Sequence, residues 1–331
     1  MARLGLNLLT VSATVALLAL LALPAKHVLD ASRLPAATGP LPQRLFGAYV
    51  DPWHLDDWGR NVGASPQMVA KFEAFSKDRT IDNFAAEAER RGIRRLLVSW
   101  EPWKPVPTAA GLAAQFSPQL GYRNADVAAG WQDGYLNRFA RSLGRFNGIV
   151  YLRYAHEMNG FWYPWSRDPS DYRRAWRHVV RVVRRAGAVN VRFVWSVNPS
   201  LYESQRRWLS RLRRYWPGRR YVDLVGSTMI NFGGPRKVYT IKRFAPRLRA
   251  LHRIYGKPIV ITELNTEYAQ RIVWLRGLRR MLGGMPWIKA VAWSQLPSRA
   301  QAHLRNVGNL DWDIERDPAA AGVLRSLIQD G

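Results

Sequence analysis

Two glutamates of this chain, Glu157 and Glu263, each end a strongly hydrophobic, β-rich run of residues. Two carboxyl groups on rigid strands can cleave a glycosidic bond, because one protonates the departing oxygen while the other attacks the anomeric carbon or activates water. A separation of about 5 to 5.5 Å between the carboxyl groups selects the route that retains the anomeric configuration. The two glutamates lie far apart in the sequence, so only the fold can bring them together.

Arg153 is the first residue expected to assist this pair. Side-chain alternation places Arg153, Ala155 and Glu157 on one face of a strand if no bulge intervenes. Arg153 then lies beneath Glu157 and can stabilise the ionised form of Glu263, which lowers the pKa of Glu263 while Glu157 keeps its proton. A purely structural ion pair is the alternative for Arg153.

Aromatic and polar side chains cluster at the same predicted strand ends, where a sugar ring can pack on an aromatic plane. The predicted substrate-binding residues are His156, Arg153, Trp162, Trp165, Trp100, Glu101, Asn231 and Trp293. Each aromatic residue could instead belong to the core. His156 could be a buried histidine without a direct part in the chemistry, and Glu101 could bind either a sugar hydroxyl or an arginine.

Short β-rich runs alternate with amphipathic segments, which is typical of a parallel sheet with crossover helices. Seven strands are predicted, at Leu45–Val50, Arg94–Ser99, Ile149–Ala155, Val191–Val197, Val222–Ile230, Pro258–Leu264 and Ile288–Ser294. The best candidate for an eighth is Tyr122–Val127, before a helix whose apolar residues Trp131, Tyr135, Phe139 and Leu143 recur every four positions. We therefore predict an α/β fold, a (β/α)8 TIM barrel, as a single domain over residues 44–331. No Gly-rich phosphate-binding loop follows the first strand, which argues against a dinucleotide-binding fold.

The chain begins with a basic start, Met1-Ala2-Arg3, followed by an uncharged stretch from Leu4 to Leu23. We interpret residues 1–25 as a signal peptide or a membrane anchor, since this pattern directs export and about 18 apolar residues can span a membrane. Residues 26–43 are Pro-bearing and aperiodic, which predicts a linker. The expected location is secreted or extracytoplasmic.

The 331 residues contain no cysteine, which excludes disulfides, thiolate zinc sites and cysteine nucleophiles. No metal site and no cofactor are predicted. The net charge is +26, with 50 Lys+Arg against 24 Asp+Glu. Arg177, Arg181 and Arg184 are expected on a solvated helix face, and such faces could associate with an anionic polymer or a membrane surface. Nucleic acid is not expected as a partner, because nothing except charge favours it.

The run from Arg153 to Trp165, RYAHEMNGFWYPW, resembles the signature of glycoside hydrolase family 26. Lys257–Glu263 is similar to the nucleophile strand of that family, and Val222–Gly226 and Asp311–Ala320 are similar to further family segments. The resemblance covers roughly residues 45–329. It implies a (β/α)8 fold, a retaining double displacement, Glu157 as acid/base, Glu263 as nucleophile and His156 beside the catalytic centre.

The resemblance also implies a substrate class. Most members of the family cleave β-1,4-mannan, and some act on β-1,3-xylan or mixed-linkage β-glucan, so an endo-β-1,4-mannanase-like hydrolase is expected first. One position departs from the family, because Ile230 stands where a tyrosine usually bonds the nucleophile; Thr228 or Asn231 could supply that contact instead. Hydrolysis of another β-glycan or of an acidic exopolysaccharide, and a barrel that only binds polysaccharide, are the alternatives.

Overall fold

A computed structural model describes residues 44–105, 117–231, 240–295 and 312–330 of the chain. The predicted signal or anchor at residues 1–25 and the predicted linker at 26–43 lie outside the described residues. Within the described ranges, no helix is both long and apolar enough to cross a membrane.

Eight parallel strands close into a barrel in which each strand pairs with its neighbours in the sequence. The strands are β1 Leu45–Ala48, β2 Met68–Ala74, β3 Arg95–Glu101, β4 Ile149–Tyr154, β5 Val191–Val197, β6 Leu224–Asn231, β7 Ile259–Thr266 and β8 Ile288–Trp293. Pairing of β1 with β8 closes the barrel, from Leu45 against Ala290 to Ala48 against Trp293. The predicted (β/α)8 barrel is confirmed.

Helices cover the outside of the barrel and return the chain from the carboxyl end of one strand to the start of the next. Among the described residues they are α1 Leu55–Val62, α2 Asp82–Arg90, α3 Asn124–Ala128, α4 Asp133–Arg145, α5 Pro169–Arg185, α6 Gln205–Tyr215, α7 Ala245–Tyr255, α8 Arg271–Gly283 and α9 Pro318–Asp330. Short 3-10 segments occur at Pro52–His54, Phe75–Lys77, Arg219–Tyr221, Ile241–Phe244, Tyr268–Gln270 and Ile314–Arg316.

The prediction of an eighth strand at Tyr122–Val127 is wrong. That segment enters α3, whose first turn is fixed by Asp126: its carboxylate accepts from the backbone N–H of Gly121 at 2.8 Å and of Arg123 at 3.3 Å, and from the Arg123 guanidinium at 2.7 Å. The additional strand is instead β2, Met68–Ala74, between β1 and β3. Tyr122–Val127 and β2 both precede the strand that begins at Ile149. The strands that lead to Glu157 and Glu263 are therefore still the fourth and the seventh of the barrel.

The core has two layers, one inside the barrel and one between the sheet and the helices. Met68, Leu97, Tyr151, Val194 and Val260 fill the lumen below the carboxyl ends of the strands. In the outer layer, three of the four predicted positions of α4 are buried, at Tyr135, Phe139 and Leu143. Trp131 was expected with them but is 61% exposed, because it precedes the start of the helix at Asp133.

The arginine-rich helix α5 packs on the sheet through Trp176, Val179, Val180 and Val183, as its periodicity predicts. The prediction that Arg184 is solvated is wrong, since this side chain is only 9% exposed. Its guanidinium lies over the ring of Phe193 and donates to the carbonyl of Arg220 at 3.2 Å. The aliphatic part of an arginine can be buried in this way while its charged end reaches a backbone acceptor.

Candidate active site

Glu157 lies on an irregular turn just beyond β4. The strand ends at Tyr154, and Ala155 and Glu157 both take left-handed backbone conformations with φ of 43° and 52°. The expected alternation of Arg153, Ala155 and Glu157 along a regular strand is therefore wrong. Two backbone hydrogen bonds hold the turn between neighbouring strand ends, from Ala155 to Trp100 at 3.0 Å and from Glu157 to Ser196 at 2.9 Å. Such conformations cost free energy for residues other than glycine and persist only where the surroundings enforce them.

The carboxylate of Glu157 receives two neutral donors. Trp162 Nε1 donates to Oε2 at 2.9 Å, and Asn198 Nδ2 donates to Oε1 at 3.0 Å. Asn198, just beyond β5, is itself fixed by Asn159, which donates to its carbonyl at 2.8 Å and accepts from its backbone N–H at 2.9 Å. Glu157 is 7% exposed, so these contacts orient a carboxyl group that is nearly enclosed.

Glu263 lies inside β7 at a point where the strand register is irregular on both sides. Its Oε1 forms an ion pair with Arg153 Nη1 at 2.6 Å, and its side chain retains 12% exposure. Burial raises the pKa of Glu263, the Arg153 guanidinium opposes that rise, and the nearby charge of Glu157 adds to it. The predicted contact between Arg153 and Glu263 is thus present, but the predicted net lowering of the pKa is not.

Arg153 is fully buried and links several strands beneath the two carboxyl groups. It donates to Ser99 at 3.1 Å, to Thr228 at 3.3 Å and to Tyr49 at 3.5 Å. Its pKa is raised, because the charges of Glu263, Tyr49 and Glu157 outweigh the effect of burial. The arginine therefore keeps its charge where Glu263 needs a partner, so it is at once a structural ion pair and an electrostatic neighbour of the site.

Ile230 lies on β6 opposite Asn265, and the two neighbours that were considered as substitutes for the family tyrosine have other contacts. Thr228 pairs with Glu263 in the sheet, and its hydroxyl accepts from Arg153. Asn231 is fully buried and donates to Thr266 at 3.0 Å. Thr228 thus acts on Glu263 through Arg153, and Asn231 supports the end of β7.

His156 lies within an aromatic cluster next to Glu157. Its Nε2 is bonded to the hydroxyl of Tyr163 at 2.9 Å, while Trp165 donates to its carbonyl at 2.7 Å. Tyr163 and Trp165 stack with ring centroids 4.3 Å apart, and Phe72 approaches the imidazole from β2. Burial and the charge of Arg153 hold the pKa of His156 well below its usual value, so the ring is neutral. Trp165 is only 1% exposed and supports the cluster instead of facing the groove.

Glu101 ends β3 beside this cluster. Trp103 Nε1 donates to its Oε2 at 3.2 Å, and the side chain is 7% exposed. Burial raises the pKa of Glu101 to about 7, against the opposing effects of Trp103 and Arg153. A carboxyl group in this state is able to donate a hydrogen bond near neutral pH, which an ordinary glutamate cannot do.

Two predicted substrate-binding residues do not reach the site. Trp100 is fully buried behind β3, where it stacks on Phe139 at 4.6 Å and donates to Tyr135 at 2.9 Å. Trp293 is 2% exposed in the same outer layer and donates to Gln295 at 3.2 Å. The prediction that these two tryptophans bind substrate is wrong, because alternation along β3 and β8 turns both side chains toward the helices.

A cavity of about 730 Å³ lies beside the end of β1, β2 and the first turn of α2. Phe72 lines this cavity and also contacts His156, so the cavity adjoins the aromatic cluster. Trp53, which is 51% exposed, and Gln295 line it as well. Neither Glu157 nor Glu263 lines this cavity, so it is connected with the carboxyl pair only through Phe72 and the aromatic cluster.

Three residues that build the site are absent from the predicted binding residues: Tyr49, Tyr163 and Asn198. Tyr49 follows β1, its hydroxyl lies 3.3 Å from Ser99 Oγ, and it donates to the carbonyl of Thr262 at 3.1 Å. Tyr49 and Asn198 could have been found because each lies just after a strand, and Tyr163 because it lies within the motif that follows Glu157. Their side-chain partners, however, depend on the barrel geometry.

The family model of glycosyl hydrolase family 26 matches residues 133–244. Endoglucanase H of Acetivibrio thermocellus is 29% identical over 283 residues, which is 81% of this chain and 28% of the relative. A β-1,3-xylanase of a Vibrio species is 28% identical over 223 residues, which is 65% of this chain and 43% of the relative. This chain therefore spans less than half the length of these curated relatives.

Among solved structures, a β-mannanase of family 26 from Bacteroides ovatus superposes with a TM-score of 0.59 at 19% identity, over 90% of this chain and 89% of that one. At this identity the likeness concerns the fold. The predicted resemblance to family 26 is confirmed.

Proposed function

The resemblance of this chain to glycoside hydrolase family 26 is established over residues 133–244, and on that premise we propose that it hydrolyses a β-linked polysaccharide with retention of configuration. The observation that carries this proposal is the contrast between two buried carboxyl groups at neighbouring positions of one barrel end. Glu157 is held by the neutral donors Trp162 and Asn198, whereas Glu263 is held by the cation of Arg153. Opposed environments are how two carboxyl groups come to have different roles.

In the first step of this mechanism, Glu263 attacks the anomeric carbon as a carboxylate, and the bond to the departing sugar breaks. Arg153 favours the ionised form of Glu263, while Glu157 gives its proton to the departing oxygen. The products of this step are a glycosyl ester on Glu263 and a shortened polymer with a free hydroxyl group. In the second step, Glu157 accepts a proton from water, the hydroxide oxygen attacks the anomeric carbon, and Glu263 is released.

The cavity that adjoins the aromatic cluster of His156 supports an endo-acting enzyme that takes a polymer. We propose β-1,4-mannan as the first candidate, because the similar structure from Bacteroides ovatus is that of a β-mannanase. The sequence relatives are named as an endoglucanase and a β-1,3-xylanase, so β-glucan and β-1,3-xylan are the nearest alternatives. The charge of +26 favours testing an acidic exopolysaccharide beside them.

The test is turnover of purified protein on mannan, β-1,3-xylan, mixed-linkage β-glucan and an acidic exopolysaccharide, with Glu157→Gln and Glu263→Gln as matched variants. We expect one substrate on which both variants lose activity by more than about a thousandfold. Proton NMR of the first product should show the β-anomer before mutarotation, as retention requires. Wild-type turnover equal to that of the variants on every substrate would rule out hydrolysis.

A barrel that only binds polysaccharide is the second candidate, and Ile230 in the place of the usual tyrosine favours it. Binding without turnover, measured by calorimetry on the same four polymers, would establish that reading. We also propose that residues 1–25 direct export of the barrel, as a signal peptide or as a membrane anchor.

A further inference from the structure

The amino end of the barrel, opposite the carboxyl pair, carries a concentration of basic side chains. Arg185, Arg253 and Arg280 occupy the last turns of α5, α7 and α8. Arg219 and Arg220 lie in the connection from α6 to β6, and Lys257 lies in the connection from α7 to β7. We call these six residues the basic face. Helices of this barrel return the chain to the starts of the strands, so helix ends and these connections share one end of the molecule.

Within the described part of the chain, the charge of the basic face is not compensated by ion pairs. Among the residues that the structure describes, no carboxylate forms an ion pair with any of the six. Arg219 donates instead to the carbonyl of Tyr255 at 3.3 Å, and Arg220 lies over the ring of Tyr221. Asp223 is the carboxylate that acts on Lys257, but it also accepts from the backbone of Phe193 at 2.8 Å. Burial together with Arg219 and Arg184 lowers the pKa of Lys257 despite Asp223.

The chain enters the barrel at the same end. Arg44, just before β1, donates to the carbonyls of Leu282 and Ile288, each at 3.1 Å, and to that of Met285 at 3.3 Å. These carbonyls belong to the end of α8 and the connection into β8, next to Arg280. Residues 1–43 therefore join the barrel at the edge of the basic face, and the first of them include the uncharged stretch Leu4–Leu23. That length matches the number of residues that a spanning helix requires.

We propose that the basic face docks on the surface of a membrane that contains acidic phospholipids, with residues 4–23 inserted and the carboxyl pair facing away. Lysine and arginine side chains near an anionic lipid surface bind its headgroups, and the attraction declines within about 8 Å at physiological salt. Membrane attachment through residues 1–25 does not by itself set which face of the barrel meets the lipid. The basic face fixes the orientation, so that Glu157 and Glu263 meet polymer on the side remote from the lipid.

The orientation can be measured in the full chain, because its lack of cysteine permits a single fluorophore at a chosen position. Val189, in the connection after α5, and Tyr202, in the loop after β5, are both 67% exposed but lie at opposite ends of the barrel. The variants V189C and Y202C are labelled and reconstituted in phosphatidylcholine vesicles with a headgroup quencher, with and without phosphatidylglycerol. We expect quenching at position 189 only with phosphatidylglycerol, no quenching at position 202, and loss of the signal in high salt.

A charge variant tests the residues themselves. R185Q/R253Q/R280Q, in the V189C background, removes three exposed arginines for which no side-chain hydrogen bond is present among the described residues. Its matched control, R206Q/R207Q/R243Q, removes three exposed arginines near the opposite end and leaves the same net charge. Each lost charge should lower the ratio of docked to free barrel about fivefold, or about a hundredfold for the triple variant. The control should change that ratio much less.

Three results would overturn the docking proposal: no quenching at position 189, equal quenching at both positions, or equal quenching with and without phosphatidylglycerol. A soluble acidic polysaccharide, polygalacturonate, is titrated against the same variants. If R185Q/R253Q/R280Q weakens polygalacturonate binding while vesicle contact is unchanged, the partner of the basic face is a polysaccharide and not a membrane. None of these readouts uses turnover, so failure of the proposed hydrolysis leaves this test intact.

Discussion

Replacing Glu101 by glutamine should stabilise the protein at neutral and alkaline pH and leave its stability unchanged in acid. Burial raises the pKa of Glu101 to about 7 from an ordinary value of 4.5. Between those two values the folded protein retains a proton that the unfolded chain has released, so the free energy of unfolding falls as the pH rises. The slope is about 1.4 kcal/mol per pH unit, which amounts to about 3 kcal/mol over the whole interval.

The variant Glu101→Gln keeps the acceptor for Trp103 but has no proton to lose. The free energy of unfolding, measured by urea denaturation of wild type and variant, should be equal near pH 4.5. Above about pH 8 the variant should be more stable by about 3 kcal/mol. The side chain is 7% exposed, so solvent screens this effect little. A difference between the two proteins that is the same at both pH values, or a wild type that is more stable in alkali, would refute the reasoning.

Three further predictions concern the carboxyl pair. Trp162→Phe removes one donor to Glu157 and should lower kcat/KM by about 10- to 100-fold, whereas Phe161→Leu, at a residue that is 74% exposed, should have little effect. Arg153→Met leaves Glu263 buried without its cation, so the free energy of unfolding should fall by about 3–5 kcal/mol. Adding Glu263→Gln should restore part of that loss. If the effects of the two substitutions on the free energy of unfolding simply add, the ion pair is contradicted. Burial raises the pKa of Glu263, so kcat/KM should begin to fall with decreasing pH at a pH above the ordinary pKa range of a glutamate. An acid limb of the pH profile within or below that range would contradict the nucleophile role.

Seven of the eight strands could be located from the sequence, because each is a short apolar run bounded by turn residues. β2 was missed because Lys71 and Glu73 interrupt its pattern. In the structure these two side chains form an ion pair at 2.6 Å behind the sheet, and the ammonium group of Lys71 lies over the ring of Phe84. Charge compensation of this kind depends on a neighbouring helix, so the strand composition alone did not reveal it.

The part of the candidate site that lies within one short stretch of sequence was predictable. The motif after β4 indicated Glu157, His156 and Trp162 together, since residues this close in sequence must share one strand end. Trp100 and Trp293 were placed in the groove because they also stand at strand ends. Alternation from the lumen-facing Leu97 turns Trp100 outward, so a strict count along β3 could have excluded it. The bonds of Tyr49 and Asn198 join separate strands and follow only from the closed barrel.

The turn that carries Glu157 is stabilised partly by neighbouring strand ends and partly by its own sequence. Gly160 donates to the carbonyl of Glu157 at 2.9 Å, Trp162 bonds the Glu157 carboxylate, and Trp165 bonds the carbonyl of His156. These three contacts lie within residues 156–165 and involve no other loop of the rim. Changes in those other loops could therefore suit the barrel to different polymers while Glu157, the proposed acid, keeps these contacts.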